Sequence, residues 1–293
     1  MMISRIFHVQ ALSALHVGTG QGVGVVDLPI ARARATNLPI VAGSALKGVL
    51  RDELTGKQDK SDINLLFGPD NASDPSHAGA VAFGDAHLLL LPIRSFAGVL
   101  AYATCPFILQ QYKRDTGVDL AIPTINDNTA RITDGSSLKL GNKIALEDLD
   151  INAEHSPVAD EWANAIVSAL YPDGTPNGEE WRQLVSARFV ILPDDVFSFL
   201  ADTATEIRTR IRIDRTTRTV QDGALWTEEN LPAESVLWGV LGVANARKQG
   251  ENKPAEALAQ LLPQGETTLQ IGGKHTVGRG VCRLLIAQHN KGA

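Results

Sequence analysis

Residues 3–15, ISRIFHVQALSAL, a glycine-rich loop, and residues 44–54, SALKGVLRDEL, decide how this chain folds. In the first stretch Ile3, Phe7, Val9 and Ala11 share one face at the period of two that a half-buried strand requires. The loop His16-Val17-Gly18-Thr19-Gly20-Gln21-Gly22-Val23-Gly24 cannot continue that strand, because its four glycines permit positive φ and close backbone approach. In the third, Leu46, Val49, Leu50 and Leu54 form an apolar stripe at helical spacing, and Ser44 is the expected N-cap. Lys47 and Arg51 share another face of that helix, one turn from its start.

Working outward, apolar runs between Ala80 and Ala103 suit strands or a buried helix, which periodicity does not separate. Asp115 to Pro157 is rich in Asp, Asn, Thr, Ser and Gly and reads as a loop-dominated insertion, part of an irregular region from about 60 to 180. A helix is expected over about 160–170, ending before Pro172, and a strand over 187–192. Residues 206–213, EIRTRIRI, alternate Ile207, Ile211 and Ile213 with Arg208, Arg210 and Arg212, so one face is apolar and the other carries guanidinium groups. With Asp214 to Val220 they suit a hairpin, spanning about 204–232. A strand near 235–243, a short helix near 254–262 and a strand near 281–287 complete an α+β, modified ferredoxin-like (RRM-like) palm with inserted loops, a single domain over 1–293.

The chain has 293 residues, 44% of them hydrophobic and 20% charged, the composition of a soluble globular protein long enough to need no covalent staple. Its two cysteines, Cys105 and Cys282, exclude a disulfide framework and a four-thiolate zinc site and fit a reducing compartment. No signal peptide is evident, and the longest apolar stretch, 86–103, is broken by His87, Pro92 and Arg94. A cytoplasmic protein with no membrane partner is expected.

The net charge of −6 argues mildly against nucleic acid, yet its distribution argues the other way. Residues 1–51 carry Arg5, Arg32, Arg34, Lys47 and Arg51 against Asp27 alone, residues 205–219 carry five arginines against Glu206 and Asp214, and residues 267–293 carry Lys274, Arg279, Arg283 and Lys291 with no acid. If these segments converge, a basic surface sits on an acidic body, the footprint of a phosphate-backbone binder. The alternative is a solvated surface with chance clustering.

Gly272-Gly273-Lys274-His275-Thr276-Val277-Gly278-Arg279-Gly280 offers backbone N–H groups and two cations to an anion, or serves as a tight connection. It lacks Walker A spacing, and the first glycine loop lacks dinucleotide spacing. Asp27 either turns the chain before Pro29 or performs chemistry, since an isolated carboxylate facing phosphates suits a divalent ion or a 2'-hydroxyl. His16, at the end of the first strand, is a general-base candidate or an ordinary satisfied surface or core residue. Trp226 is a base-stacking or a core residue.

Taken together, these segments resemble the RAMP superfamily of CRISPR RNA-binding proteins, and most closely the backbone subunit of type III-B (Cmr) effector complexes. The stretch from Leu15 to Ile30 looks like the family's first strand and cleavage loop. Residues 39–51, PIVAGSALKGVLR, are similar to its G-S-S-L-K-G-x-x-R helix start. Residues 84–95, GDAHLLLLPIRS, with Gly98-Val99 and Thr104-Cys105-Pro106, and residues 223–232, GALWTEENLP, look specific to the Cmr member. Residues 271–280 match the C-terminal glycine loop. One departure is plain: where the family often reads A-L-F-Y-E-E, this chain has Trp226-Thr227.

The resemblance implies a subunit stacked in several copies as a helical filament on a CRISPR guide RNA, beside other Cmr complex subunits. A β-hairpin thumb would interrupt the guide–target duplex at intervals. Beside each interruption an aspartate in the first loop, here Asp27, would cut the complementary target RNA with a divalent metal ion, Mg or Mn, leaving a 2',3'-cyclic phosphate and a 5'-hydroxyl. His16 and Glu228 would assist Asp27. RNA contacts would come from Ser44, Lys47 and Arg51, from Gly272, Gly273, Lys274 and Arg279, and from the hairpin residues Arg208, Arg210, Arg212, Arg215 and Arg218. Alternatives are a non-catalytic guide-binding scaffold, a stand-alone CRISPR-RNA processing endoribonuclease using His16, and a metabolic nucleotide enzyme.

Overall fold

The computed structural model describes residues 2–20, 22, 24–70, 76–125 and 128–288. Strand β1 (Met2–Ala11) leads through the glycine loop and β2 (Ile40–Val41) to helix α1 (Gly43–Leu54) and α2 (Lys60–Phe67). Strands β3 (Val81–Phe83), β4 (Ala86–Arg94) and β5 (Leu100–Thr104) and helix α3 (Pro106–Thr116) follow. Next come β6 (Ala130–Ile132), β7 (Lys143–Leu146), β8 (Leu149–His155), α4 (Pro157–Leu170), α5 (Gly178–Ser186), β9 (Phe189–Ile191) and α6 (Asp194–Thr203). The chain ends with β10 (Glu206–Ile213), β11 (Val220–Asn230), β12 (Val236–Ala244), α7 (Ala255–Ala259), β13 (Gly265–Gln270) and β14 (Val281–Ile286).

The palm is the antiparallel array β14-β1-β12-β4, in which β1 lies between β14 and β12. Helix α1 links the first of these strands to the second in chain order, and α7 links the third to the last. This is the β-α-β-β-α-β arrangement of a ferredoxin-like fold. The sheet continues beyond β4 through β5, β9, β6, β8 and β7 to a mixed sheet of twelve strands, and one continuous hydrophobic cluster runs beneath it. No helix among the described residues is long and apolar enough to cross a membrane.

Strand β1 ends at Ala11, short of the Leu15 expected from its pattern, because the N–H groups of Leu12 and Ser13 both turn to the carbonyl of Val281. Ser44 is not the N-cap of α1. Ala42 holds that place, Ser44 lies exposed in the first turn, and the Gly43 N–H donates instead to Asp85 Oδ1 at 2.9 Å. A glycine is required there, since a Cβ at Gly43 would stand 2.3 Å from the Phe83 carbonyl oxygen.

The region expected to be irregular holds regular elements among its described residues. Between residues 115 and 157 it supplies β6, β7 and β8, and the rest of 60–180 carries α2, β3 to β5, α3 and α4. The strands escaped notice because each offers few apolar residues: in β8 only Ile151 and Ala153 turn inward while Asp150, Asn152 and Glu154 face water. Composition there describes the solvent face, not the backbone.

Strands β10 and β11 form a separate two-stranded sheet that stands off the main one. A six-residue loop, 214–219, closes its tip around an Asx turn, in which Asp214 Oδ1 accepts from the N–H groups of Thr216 and Thr217 at 2.7 and 3.0 Å. The isoleucine face does not bury against the body. Ile207, Ile211 and Ile213 keep 50, 46 and 54% of their surface exposed, since a projecting ribbon has no layer beneath it.

Candidate active site and nucleic-acid interface

The foot of the hairpin brings the first glycine loop to β11. Leu28 donates its N–H to the Thr227 carbonyl at 3.1 Å and accepts from the Glu229 N–H at 3.0 Å, so residues 27–30 run as a short parallel partner of β11. Asp27 is thereby held at the edge, exposed. Its Oδ2 accepts from the Thr227 N–H at 2.8 Å and the Thr227 hydroxyl at 2.9 Å. These bonds, the backbone one first, hold the Asp27 carboxyl below the ordinary carboxylate range. No hydrogen bond from the described residues reaches Oδ1.

Glu229, next but one along β11, anchors the same loop from inside. Its Oε1 pairs with Arg32 at 2.6 Å and accepts from the Thr205 hydroxyl, while Oε2 accepts from the Ile30 N–H at 3.1 Å. Both partners are largely buried.

His16 is a buried junction. Its Nδ1–H donates to the Glu229 carbonyl at 2.7 Å, and its own carbonyl accepts from the Gly273 N–H at 3.0 Å. The ring lies under Gly18, where a Cβ would come within 2.7 Å of Nε2. Gly272, at φ 83°, passes so close that a Cβ would meet the His16 carbonyl oxygen at 2.3 Å. The glycines of both loops therefore let two backbones cross at His16. In the second loop the N–H groups of Gly273, Val277, Gly278, Arg279 and Gly280 are all spent on carbonyls. Those five N–H groups are therefore not free for an anion, and Lys274 and Arg279 add the loop's cationic side chains.

Those side chains meet the opposite face of the hairpin. Glu228, fully buried, accepts at Oε1 from the Trp226 indole N–H at 2.8 Å and pairs with Lys274 Nζ at 3.1 Å; its Oε2 is buried without a partner. Burial works against ionisation of Glu228, but the Trp226 bond and the Lys274 charge outweigh it and hold its carboxyl below the usual range. Trp226 is half-buried, neither a core residue nor a free platform, with the Lys274 ammonium 5.8 Å over its ring. Arg279 is buried with Nε unpartnered, and burial together with the nearby Arg208 and Arg210 depresses its guanidinium. Arg208 is tied to Glu206. Among the described residues no hydrogen bond or ion pair holds the side chains of Arg210, Arg212, Arg215 and Arg218, which run out along the hairpin. Cations therefore exceed acids around this face, and two of the three basic segments, 205–219 and 267–293, do converge.

The third segment divides. Lys47 donates to the Val81 carbonyl at 3.1 Å, and burial, then Arg51 and Arg247, lower its ammonium. Arg51 is occupied with the carbonyls of Gly68 and Pro69 and with Asp70, fastening the end of α2. Among the described residues neither is hydrogen-bonded or ion-paired to the hairpin. Asp27, His16 and Glu228 are brought to three successive residues of β11, through Thr227, Glu229 and Glu228 itself, yet no hydrogen bond or ion pair joins their side chains. No group of three or more metal-ligating side chains exists among the described residues.

A family model for the RAMP superfamily matches residues 8–283. The chain belongs to the RAMP superfamily. Among RAMP relatives, the CRISPR system Cmr endoribonuclease Cmr4 of Pyrococcus furiosus is 35% identical over 98% of this chain and 97% of its own length. The CRISPR system CMR subunit Cmr4 of Saccharolobus solfataricus is 24% identical over 95% of this chain and 94% of its own. The crystal structure of oligomeric Cmr4 from Pyrococcus furiosus aligns with a TM-score of 0.75 and 27% identity, covering 99% of this chain and all of that one. A chain of the type III-B Cmr-beta complex bound to cognate target RNA shares the fold at a TM-score of 0.72 and 22% identity.

Residue reading from sequence missed Arg32, Glu229 and Asp85. A signal existed for Glu229, since two adjacent acids on a strand must face opposite sides, and only one of them can look toward the arginines.

Proposed function

We propose that this chain is the backbone subunit of a type III-B CRISPR ribonucleoprotein, which binds the guide RNA and cuts complementary target RNA at regular intervals. The observation that carries the reading is Asp27. The only acid of the first 51 residues stands exposed at the foot of an arginine-bearing hairpin, with one carboxylate oxygen fixed and the other open. The family membership and the relative named as an endoribonuclease support it.

In this reading Lys274, Arg279 and the hairpin arginines hold the RNA backbone, and base pairing between guide and target supplies sequence specificity. The target's own 2'-oxygen attacks the adjacent phosphorus, the bond to the 5'-oxygen breaks, and the proton passes from the 2'-hydroxyl to the leaving oxygen by way of solvent. The products are a 2',3'-cyclic phosphate and a 5'-hydroxyl. Such a reaction needs in-line geometry more than an elaborate set of groups. Asp27 fits a divalent ion in the limited sense that a magnesium ion is often held by one or two carboxylates plus substrate phosphate and water. When bound, Mg or Mn supplies positive charge to the phosphate as the bond breaks. His16 and Glu228 contribute by fixing the two loops and the lysine around Asp27. The subunit acts in the cytoplasm, with further copies of itself in a filament and with the other Cmr subunits.

The test is cleavage of a guide-complementary RNA by the reconstituted complex, wild type against Asp27→Ala, in magnesium, in manganese and in chelator. Periodic cuts that disappear in the variant and in chelator, with guide and target still bound, are expected. Cuts that persist in the variant would make the chain a scaffold, and cuts that persist in chelator would remove the metal.

A further inference from the structure

We propose that Thr227 is a positioning residue for Asp27, its hydroxyl serving as both donor and acceptor to lock one carboxylate oxygen and leave the other free toward the RNA. This inference rests on the reading of Asp27 as the cutting carboxylate.

Three hydrogen bonds join the two residues. The Thr227 N–H and hydroxyl both reach Asp27 Oδ2, at 2.8 and 2.9 Å, and the Asp27 N–H returns to the Thr227 hydroxyl oxygen at 3.0 Å. A hydroxyl can close this ring because it has a proton to give and lone pairs to receive. A side chain with an apolar Cβ substituent leaves only the backbone N–H.

Backbone bonds from Leu28 and Ile30 tie the chain after Asp27 to β11, but among the described residues only Thr227 holds the Asp27 carboxylate. Val25 is wholly exposed, Asp27 is itself exposed, and ahead of them the Gly22 N–H donates to the Asp27 carbonyl at 2.9 Å. Thr227 by contrast belongs to a paired strand, opposite Thr209. The hydroxyl thus transfers the order of the hairpin foot to a carboxylate on a glycine-rich loop. Displacing a reacting group by about 1 Å costs up to about a hundredfold in rate, so this is a large effect to expect from one oxygen atom.

The experiment compares Thr227→Val, Thr227→Ser and Asp27→Ala with the wild type in the full reconstituted complex. Single-turnover cleavage at saturating complex, target Kd and thermal midpoint are measured for each. Thr227→Val should cut about ten- to a hundredfold more slowly, with target Kd and thermal midpoint unchanged. Thr227→Ser, which restores the donor and acceptor, should recover cutting to within about threefold of wild type, an expectation that follows from the shared hydroxyl chemistry. Adding Thr227→Val to Asp27→Ala should slow nothing further. If Thr227→Val cuts at the wild-type rate while Asp27→Ala is dead, the positioning role is wrong and the reading of Asp27 stands. If Thr227→Val loses target binding or thermal stability in step with its rate, or serine fails to rescue, Thr227 is structural and the inference is overturned. If Asp27→Ala itself cuts normally, the reading of Asp27 falls and the inference with it.

Discussion

Two residues outside the reacting atoms show how much the site depends on burial. Arg32 and Glu229 form a largely buried ion pair whose carboxylate also receives the Ile30 N–H and the Thr205 hydroxyl, so it binds the first loop to the hairpin and to the end of α6. Removing one partner of such a pair strands the other charge. Arg32→Ala is expected to cost about 3 kcal/mol in urea unfolding and to loosen the loop that carries Asp27. His8 is buried in β1, sharing a 2.9 Å hydrogen bond with the Tyr112 hydroxyl, and burial pushes its imidazole down to about 4. Because the unfolded chain takes up that proton near pH 6.5 and the folded one does not until about 4, stability falls as pH drops through this window. It is regained as pH rises above it. The loss from His8 is about 3 kcal/mol in all. His8→Gln should flatten the thermal midpoint between pH 7 and 4 relative to wild type, and an unchanged slope would assign the acid sensitivity to other groups.

At the scale of elements, the hairpin and the palm should behave as different bodies. Strand β1 is buried between β12 and β14, whereas β10 and β11, beyond the short bridge of Leu28 to the foot of β11, pair with each other and leave Ile207, Ile211, Ile213, Val220 and Leu225 exposed. Isolated two-stranded ribbons are marginal in water. Amide exchange along β10 and the outer half of β11 should accordingly be much faster than in β1 and β12, and should slow when guide RNA is bound. Equal protection in the free chain would mean that the ribbon has a partner within the fold. The elements also explain which readings failed. The alternation of EIRTRIRI correctly marks a strand over 206–213, but a period of two cannot say whether anything covers either face. In the same way, the polar composition of 115–157 concealed three narrow strands whose inward residues were too few to register.

For the molecule as a whole, the charge is what matters. A net charge of −6 coexists with a basic face because the arginines of 208–218 and the cations of the last loop are gathered at one end, around Glu228 and along the hairpin. RNA affinity should fall linearly in log–log form with salt, and Arg210→Ala, whose guanidinium no hydrogen bond or ion pair holds among the described residues, should lower the slope by about one phosphate contact. Lys47→Ala should do the same if the face of α1 reaches the guide; an unchanged slope would confine that lysine to its bond with Val81. Much of the fold was legible before any coordinates: the strand and helix periodicities, the glycine loops and the lone Asp27 in a basic segment are all local patterns, set by side-chain spacing and backbone freedom. What folding added is contact across the chain. Asp27 meets Thr227 from 200 residues away, His16 meets Glu229 and Gly273, and Lys274 meets Glu228. No local preference encodes these meetings, because they follow from the order β14-β1-β12-β4, which brings the end of β1, the starts of β12 and β14 and the foot of the hairpin together at one end of the central strands. The same distance effect separates the cations that sequence could not tell apart, leaving the Arg210 side chain without a hydrogen bond or ion pair among the described residues while Arg51 is spent on the carbonyls that close α2.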